Sequence, residues 1–274
     1  MIVNTKRLFS KLLTKLQIGV VCDVGSLNGA DALAFRNAVP DASVYAFEPN
    51  TQNLRQMEAN PALQQRNIQV VPLAVTNYDG EADFFVVDAD YSQLDYRRGM
   101  SSLYKRSENW APEAVVSVKT TRLDSFLVDR CPPNVRFALW IDTEGKAHEV
   151  IEGMSGIAER VYLLHIEVET LPCIGSDQKL YAEVSRLLRQ MGFAEVATDQ
   201  ARNQCQFNAL FIRSDLSAVM QLRAYACLVE AVLRHLLVRV IRRLCPACLR
   251  RYQAMRSHSS EVRSSFAGVP PKWK

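Results

Sequence analysis

The sequence predicts an α/β protein built on a three-layer, mostly parallel sheet with helices on both faces. Three observations carry this. Short β-branched runs alternate with helical ones over the first 215 residues, and the first five elements read β-α-β-α-β. The connections between them are long enough for right-handed crossovers, which parallel neighbours require. The composition, 48% hydrophobic and 23% charged, is that of a globular chain with a large core.

Residues 1–18 hold four basic residues and no acid, and read as a helical lead-in. They lack the apolar run and cleavage site of a secretory signal. "IGVVCDV" is the first strand, followed by a helix over Gly29–Ala38. "SVYAFEP" is the second strand, ended by Pro49, and a polar helix runs over Thr51–Asn60. "NIQVVPLAV" is the third. A two-strand excursion follows, "YDGEADFFVVD" and "AVVSVKTT", around a polar loop at about 89–112, and a short helix starts near Asp124. Alternation resumes with strand "VRFALWID", helix "KAHEVIEGM", strand "RVYLLHIEVE" and a helix over Asp177–Met191 that Gly192 ends. "FAEVAT" and "QFNALFIR" form an antiparallel pair, because "DQARN" is too short for a crossover.

Past residue 216 the pattern is a basic amphipathic extension to about 250, and 251–274 has the composition of a disordered tail. Over 217–244, Leu222, Tyr225, Ala226, Val229, Leu233, Leu236, Leu237, Val240 and Leu244 share one helix face. That stripe suits the main domain, a second copy, or, with its arginines, peripheral contact with an anionic membrane. "CPAC" at 245–248, with His258 beyond it, is one pair without a second and does not specify zinc. Residues 221–274 hold 11 Lys/Arg against 2 Asp/Glu, and the remaining 220 hold 22 against 27. The main domain is therefore acidic, and no nucleic-acid partner is expected. Seven cysteines scattered through the chain do not form a disulfide framework. A reducing cytoplasm, with or without membrane association, is the expected setting.

The stretch "CDVGSLNGADAL" supplies strand, glycine turn and helix start. A dinucleotide pyrophosphate calls for G-x-G-x-x-G; this turn is G-x-x-x-G, and Asp23 precedes it at the strand end. An acid there disfavours a phosphate and suits an ammonium group, which points to S-adenosylmethionine. Gly25 permits the turn and Gly29 lets the ligand approach the backbone. Glu48, 25 residues after Asp23 at the tip of the second strand, is placed to accept from both ribose hydroxyls. Asp142 and Glu144 in "LWIDTEG" fall at the strand edge where open α/β sheets bind ligands, and Gly145 turns the chain into the next helix. "HIEVE" puts His165, Glu167 and Glu169 on one strand face. Charged groups on buried strands are costly unless paired or used. Asp142, Glu144, Glu167 and His165 are therefore the catalytic candidates.

Taken in order, "DVGSLNGADAL", "VYAFEPN", "PLAVTNYDGEADFFV", "SVKTTRLDSFL", "LWIDTEGKAHEVIEGM", "LLHIEVE" and "FNALFIR" resemble FkbM-type S-adenosylmethionine-dependent methyltransferases over about Gly19–Arg213. The resemblance implies a Rossmann-like class I methyltransferase fold over 19–215: a seven-strand, mostly parallel sheet with one antiparallel strand. It implies methyl transfer to a hydroxyl of a sugar, glycolipid or natural-product-like acceptor. Asp23, Gly25, Ser26, Gly29, Glu48, Pro49, Leu73, Ala74 and Asp142 then hold the cofactor, with Leu73 and Ala74 bordering the adenine. "GMSSLYKR" becomes a substrate loop, with Ser101 and Ser102 facing the site and Lys105 or Arg106 meeting acidic acceptors. Leu27 departs from the asparagine common in the family at that turn position. Mg²⁺ on Asp142 with Glu144 or Glu167 is an alternative to metal-free transfer, and the metal-free reading is favoured. A catalytically silent binding protein and a nicotinamide oxidoreductase are the competing functions.

Overall fold

Helix α1 (Thr5–Lys15) starts where Asn4 accepts a hydrogen bond from the Arg7 amide, and it buries Leu8, Phe9, Leu12 and Leu13 on one side. The protein is known here from a computed structural model that describes residues 2–87, 99–106, 113–201 and 204–244. The chain divides into two compact units, Met1–Leu228 and Val229–Lys274. The first holds α1, both sheets and the site.

After α1 come β1 (Val20–Val24), α2 (Ala30–Ala38), β2 (Ser43–Phe47), α3 (Thr51–Glu58), α4 (Pro61–Gln65) and β3 (Ile68–Val71). The excursion is β4 (Ala74–Val75), β5 (Gly80–Val87) and β6 (Glu113–Thr121), closed by α5 (Leu123–Leu127). Then follow β7 (Phe137–Ile141), α6 (Ala147–Glu152), a 3₁₀ turn at Ser155–Arg160, β8 (Val161–Glu169), α7 (Tyr181–Gln190), β9 (Phe193–Thr198), β10 (Gln206–Arg213) and α8 (Ala218–Leu244).

The main sheet has seven strands in the order β3-β2-β1-β7-β8-β10-β9, and only β10 runs antiparallel to its neighbours. This is the predicted Rossmann-like methyltransferase fold. The strand order reverses between β1 and β7, the switch point where open α/β sheets form their crevice. β1 and β7 are buried along their whole length, as the apolar run of β7 and that of β1, broken only by Asp23, require. One face of the sheet carries the main apolar core, including Phe137, Leu139, Ile141 and Ile166. The other packs an aromatic group, Phe9, Phe35, Trp140 and His165, at centroid distances of 3.5–5.9 Å.

Three boundaries differ from expectation. "NIQVVPLAV" is two strands, because Pro72 has no amide to continue the ladder. The Leu73 amide turns back to the Val71 carbonyl at 2.9 Å, and β4 joins a separate three-stranded sheet ordered β4-β6-β5. The polar helix after β2 ends at Glu58, since Asn60 caps a new helix with Pro61 at its first position. α7 begins at Tyr181 rather than 177, where Glu183 reaches back to the Leu180 amide.

α8 is the predicted long helix, but among its described side chains the buried positions are Met220, Ala224 and Cys227, not the apolar stripe. Leu222, Tyr225, Ala226, Val229, Leu233, Leu236 and Leu237 are exposed. Among the described residues no helix is long and apolar enough to cross a membrane. Most of the 89–112 loop (88–98 and 107–112), the cysteine pair at 245–248, His258 and the tail 251–274 lie outside the described residues.

Candidate functional site

The site begins where β1 meets β7. Gly25 takes a left-handed φ of 85°, and a Cβ there would lie 1.7 Å from the Asp142 carbonyl oxygen. The two strand ends are therefore packed backbone to backbone. The Gly25 and Ser26 amides donate to the Phe47 carbonyl at 3.1 and 3.0 Å, and the Asp142 amide donates to Val24 at 2.9 Å. These contacts bring the ends of β1, β2 and β7 to one crevice. A cavity of about 230 Å³ opens there, walled by Gly25, Leu27, Glu48, Pro49, Leu73, Ala74, Ser101, Asp142 and Glu144 among others.

Glu48 is the best-held acid on this wall. Its Oε2 accepts from the Leu27 amide and its Oε1 from the Asn50 amide, both at 2.8 Å. Burial pushes its carboxyl up to about 7 against those hydrogen bonds. Asn53 also hydrogen-bonds this carboxyl, whose remaining acceptor capacity is open to a ligand hydroxyl. Close by, Asn53 lines the cavity with a buried Oδ1 that has no partner. A buried unpaired acceptor is costly, and a ligand donor would satisfy it. An adenosyl group, rich in hydroxyl and amine donors, fits this wall.

Three turn residues expected in the cofactor set lie off this cavity wall. Asp23 is buried beneath the turn, where its Oδ2 accepts from the Ser26 hydroxyl at 2.6 Å. Burial holds its carboxyl up at about 7, and neither Asp23 nor Ser26 reaches the cavity wall. Through Ser26 the acid braces the glycine turn. Gly29, at φ 77°, caps α2, and a Cβ there would strike the Leu63 side chain at 2.7 Å. Its missing side chain makes room for α4, not for ligand.

On the far side, Asp142, Thr143 and Glu144 line the cavity, and Glu144 itself has a left-handed φ of 48°. Strain of this kind on a non-glycine residue marks sites that the surroundings hold in place. Arg106 supplies part of that hold: its guanidinium meets Glu144 Oε2 at 2.8 Å and also donates to the Met100 carbonyl. The Ser102 hydroxyl donates to the Glu144 carbonyl at 2.7 Å. Burial raises Glu144 to about 7, Asp142 adds to the rise, and Arg106 opposes it. Glu167 lies behind, hydrogen-bonded to Asp142 and off the cavity wall. Burial and the surrounding carboxylates push Glu167 well above the carboxylate range, and burial raises Asp142 as well, so the hydrogen-bonded pair holds a proton between them. One oxygen from each of Asp142, Glu144 and Glu167 falls within 4.8 Å of the others, a set that could hold a divalent cation. The shared proton and Arg106 offset two of their three negative charges.

His165 is not at the site. Its ring stacks on Trp140 at 3.5 Å and 3°, Nε2 pairs with Thr5 Oγ1 at 3.0 Å, and Phe9 meets it edge-on. Burial, with Lys6 nearby, drops its pKa to about 3. It is a neutral core residue beneath α1, and its expected role as a base is withdrawn. Lys105 is exposed and Arg106 is engaged by Glu144, and both lie off the cavity wall. Ser101 does face the cavity, while Ser102 braces the turn behind it.

Leu27, Asn53, Phe84, Leu103, Thr143 and Lys146 are wall residues that sequence reasoning missed. Lys146 immediately follows "IDTEG" and had a positional signal; its Nζ pairs with Glu149 at 2.8 Å and sits 3.7 Å over the Tyr104 ring. Asn53, in the middle of a polar helix, had none.

Residues 23–194 match the family model described as "Methyltransferase FkbM domain". Over 169 residues the chain is 24% identical to the 2-O-methyltransferase NoeI of Sinorhizobium fredii (strain NBRC 101917 / NGR234), covering 59% of this chain. The chain spans 65% of that relative's own length. Among solved structures, an rRNA methylase from Streptococcus thermophilus aligns at 15% identity and TM-score 0.43, covering 78% of this chain and 98% of that one. Magnesium protoporphyrin IX methyltransferase from Synechocystis PCC 6803, solved with bound SAH, aligns at 10% identity and TM-score 0.41, covering 77% and 83%.

Proposed function

We propose O-methylation of a hydroxyl on a sugar, glycolipid or natural-product-like acceptor as the activity of this chain, which belongs to the FkbM family of S-adenosylmethionine-dependent methyltransferases. The observation that carries the reading is the pair of carboxylates, Asp142 and Glu144, on the wall opposite Glu48. Carboxylates accept hydrogen bonds from hydroxyls. The same acids repel a carboxylate or phosphate acceptor, and they stabilise an amine as its unreactive ammonium form. A neutral hydroxylated acceptor is the class this wall suits. The named activity of the Sinorhizobium relative, 2-O-methyl transfer, agrees with it.

S-adenosylmethionine, when bound, supplies an electrophilic methyl group on a sulfonium and leaves as a neutral thioether. The chain's own residues do the rest. Glu48 accepts from the ribose hydroxyls, and Leu73 and Ala74 border the adenine. Asp142, hydrogen-bonded to Glu167, orients the acceptor hydroxyl and takes its proton as the oxygen lone pair forms the new carbon–oxygen bond. Positioning of this kind lowers the barrier by aligning the reactants, and a placed base adds about 10²–10⁴-fold. Glu144, held by Arg106, orients a second hydroxyl. We assign this chemistry to residues 19–215, with residues 99–106 beside the acceptor.

The test is transfer of isotope-labelled methyl from S-adenosylmethionine to a panel of neutral mono- and oligosaccharides. Label in an alkali-stable ether, lost in Asp142→Asn, is expected. Label in an alkali-labile ester or on nitrogen overturns the reading.

A further inference from the structure

α8 presents an apolar stripe that nothing in the site uses. Leu222, Tyr225, Val229, Leu233, Leu236 and Leu237 recur at three- and four-residue intervals, and each is at least 40% exposed. They lie within about 60° of one line along the helix at 100° per residue. Met220, Ala224 and Cys227, which are buried, fall on the opposite side. Arg223, Arg234 and Arg239 flank the stripe at its edges, and the one acid among them, Glu230, is paired with Arg234 at 2.7 Å. Residues 221–274 carry 11 basic and 2 acidic side chains.

We propose that α8 is an interfacial helix that docks on a membrane surface bearing anionic lipid headgroups, with the stripe in the acyl boundary and the arginines among the headgroups. An apolar face edged by arginines is the pattern that lies in such an interface. Tyr225 is amphipathic and suits the headgroup level. Charge selects this occupant over a second copy of the chain. Two such helices face to face would bring arginine edges together with little acid to offset them, and like-charge contact disfavours pairing. An anionic surface complements the same edges, at roughly fivefold in affinity for each basic residue near it.

The full chain is floated with phosphatidylcholine vesicles, with and without added phosphatidylglycerol. Flotation with the anionic vesicles only, weakened by salt, is expected. Leu233→Gln with Leu236→Gln should reduce it at least tenfold, and Arg223→Gln, Arg234→Gln and Arg239→Gln by about fivefold each. Circular dichroism checks that the helix persists in each variant. Three results overturn the proposal: no flotation with anionic vesicles, wild-type flotation by the double leucine variant, or a dimer in sedimentation that the leucine variant dissolves while no vesicle binding is seen.

Discussion

A Cβ on residue 25 would sit 1.7 Å from the carbonyl oxygen of Asp142, so the glycine turn and the acidic strand end share one space. The cofactor wall and the acceptor wall are thus set by a single backbone contact between β1 and β7.

Gly25→Ala should therefore disable the site. The variant must hold a left-handed φ of 85° and displace a carbonyl that has no flexible tip to yield. The φ alone costs about 1–2 kcal/mol, and the clash adds to it. A fall of several degrees in Tm and loss of S-adenosylmethionine binding in calorimetry are expected. Wild-type affinity in the variant would show that the strand ends can separate without consequence.

Asp23, Glu48, Glu144 and Glu169 all have carboxyls raised to about 7, each chiefly by burial. The fold binds protons more tightly than the unfolded chain at these four groups. Their stabilising contribution is complete below the ordinary carboxylate range and is lost as pH rises through about 7. Asp79 and Asp124 are lowered and act below that window. Tm should therefore fall between pH 5.5 and 8. Asp23→Asn keeps an acceptor for Ser26 and removes one titration, so its profile should be shallower while S-adenosylmethionine affinity is unchanged. A large loss of affinity would put Asp23 back against the cofactor.

His165→Gln should leave methyl transfer within a few-fold of wild type and lower Tm, because it removes a ring stacked on Trp140 and not a base. The stack is worth about 0.5–1.5 kcal/mol beyond its buried area. Abolished turnover in a variant that still binds S-adenosylmethionine would contradict this placement.

His165 also shows where sequence reading stops. Period two correctly put His165, Glu167 and Glu169 on one face of β8, since side-chain alternation is a local property. What covers that face is not local: α1 starts 160 residues earlier and brings Thr5 and Phe9 onto the ring. The same holds for Asp23. An acid at a strand end is legible, but whether it faces the cavity or the underside of the turn depends on the Ser26 hydroxyl three residues on. Glu48, Asp142 and Glu144 were legible because strand tips at the switch point open on the crevice by topology. The mostly parallel three-layer sheet followed from the alternation of elements, and its seven strands from the family resemblance. The split at Pro72 was signalled by the proline itself and missed because the apolar run continues past it.

Arg106 and Glu144 form a nearly buried pair, 7% and 15% exposed at their side chains, between the loop at 99–106 and the end of β7. Removing one member of such a pair leaves the other charge unbalanced, which costs more than the pair contributes while intact. Arg106→Gln should therefore raise the Glu144 carboxyl further, because the one lowering charge is gone while burial and Asp142 remain. Turnover should fall more than tenfold near neutral pH and recover in part at higher pH, where Glu144 ionises again. Arg106→Gln combined with Glu144→Gln should be less impaired than the sum of the single changes. The same charge balance bears on metal use. With Arg106 on Glu144 and a proton between Asp142 and Glu167, only one negative charge of the trio is left for a cation, and turnover should survive a chelator without gaining from added Mg²⁺. Chelator-sensitive turnover restored by Mg²⁺ would mean that the cation displaces Arg106 and the shared proton during the reaction.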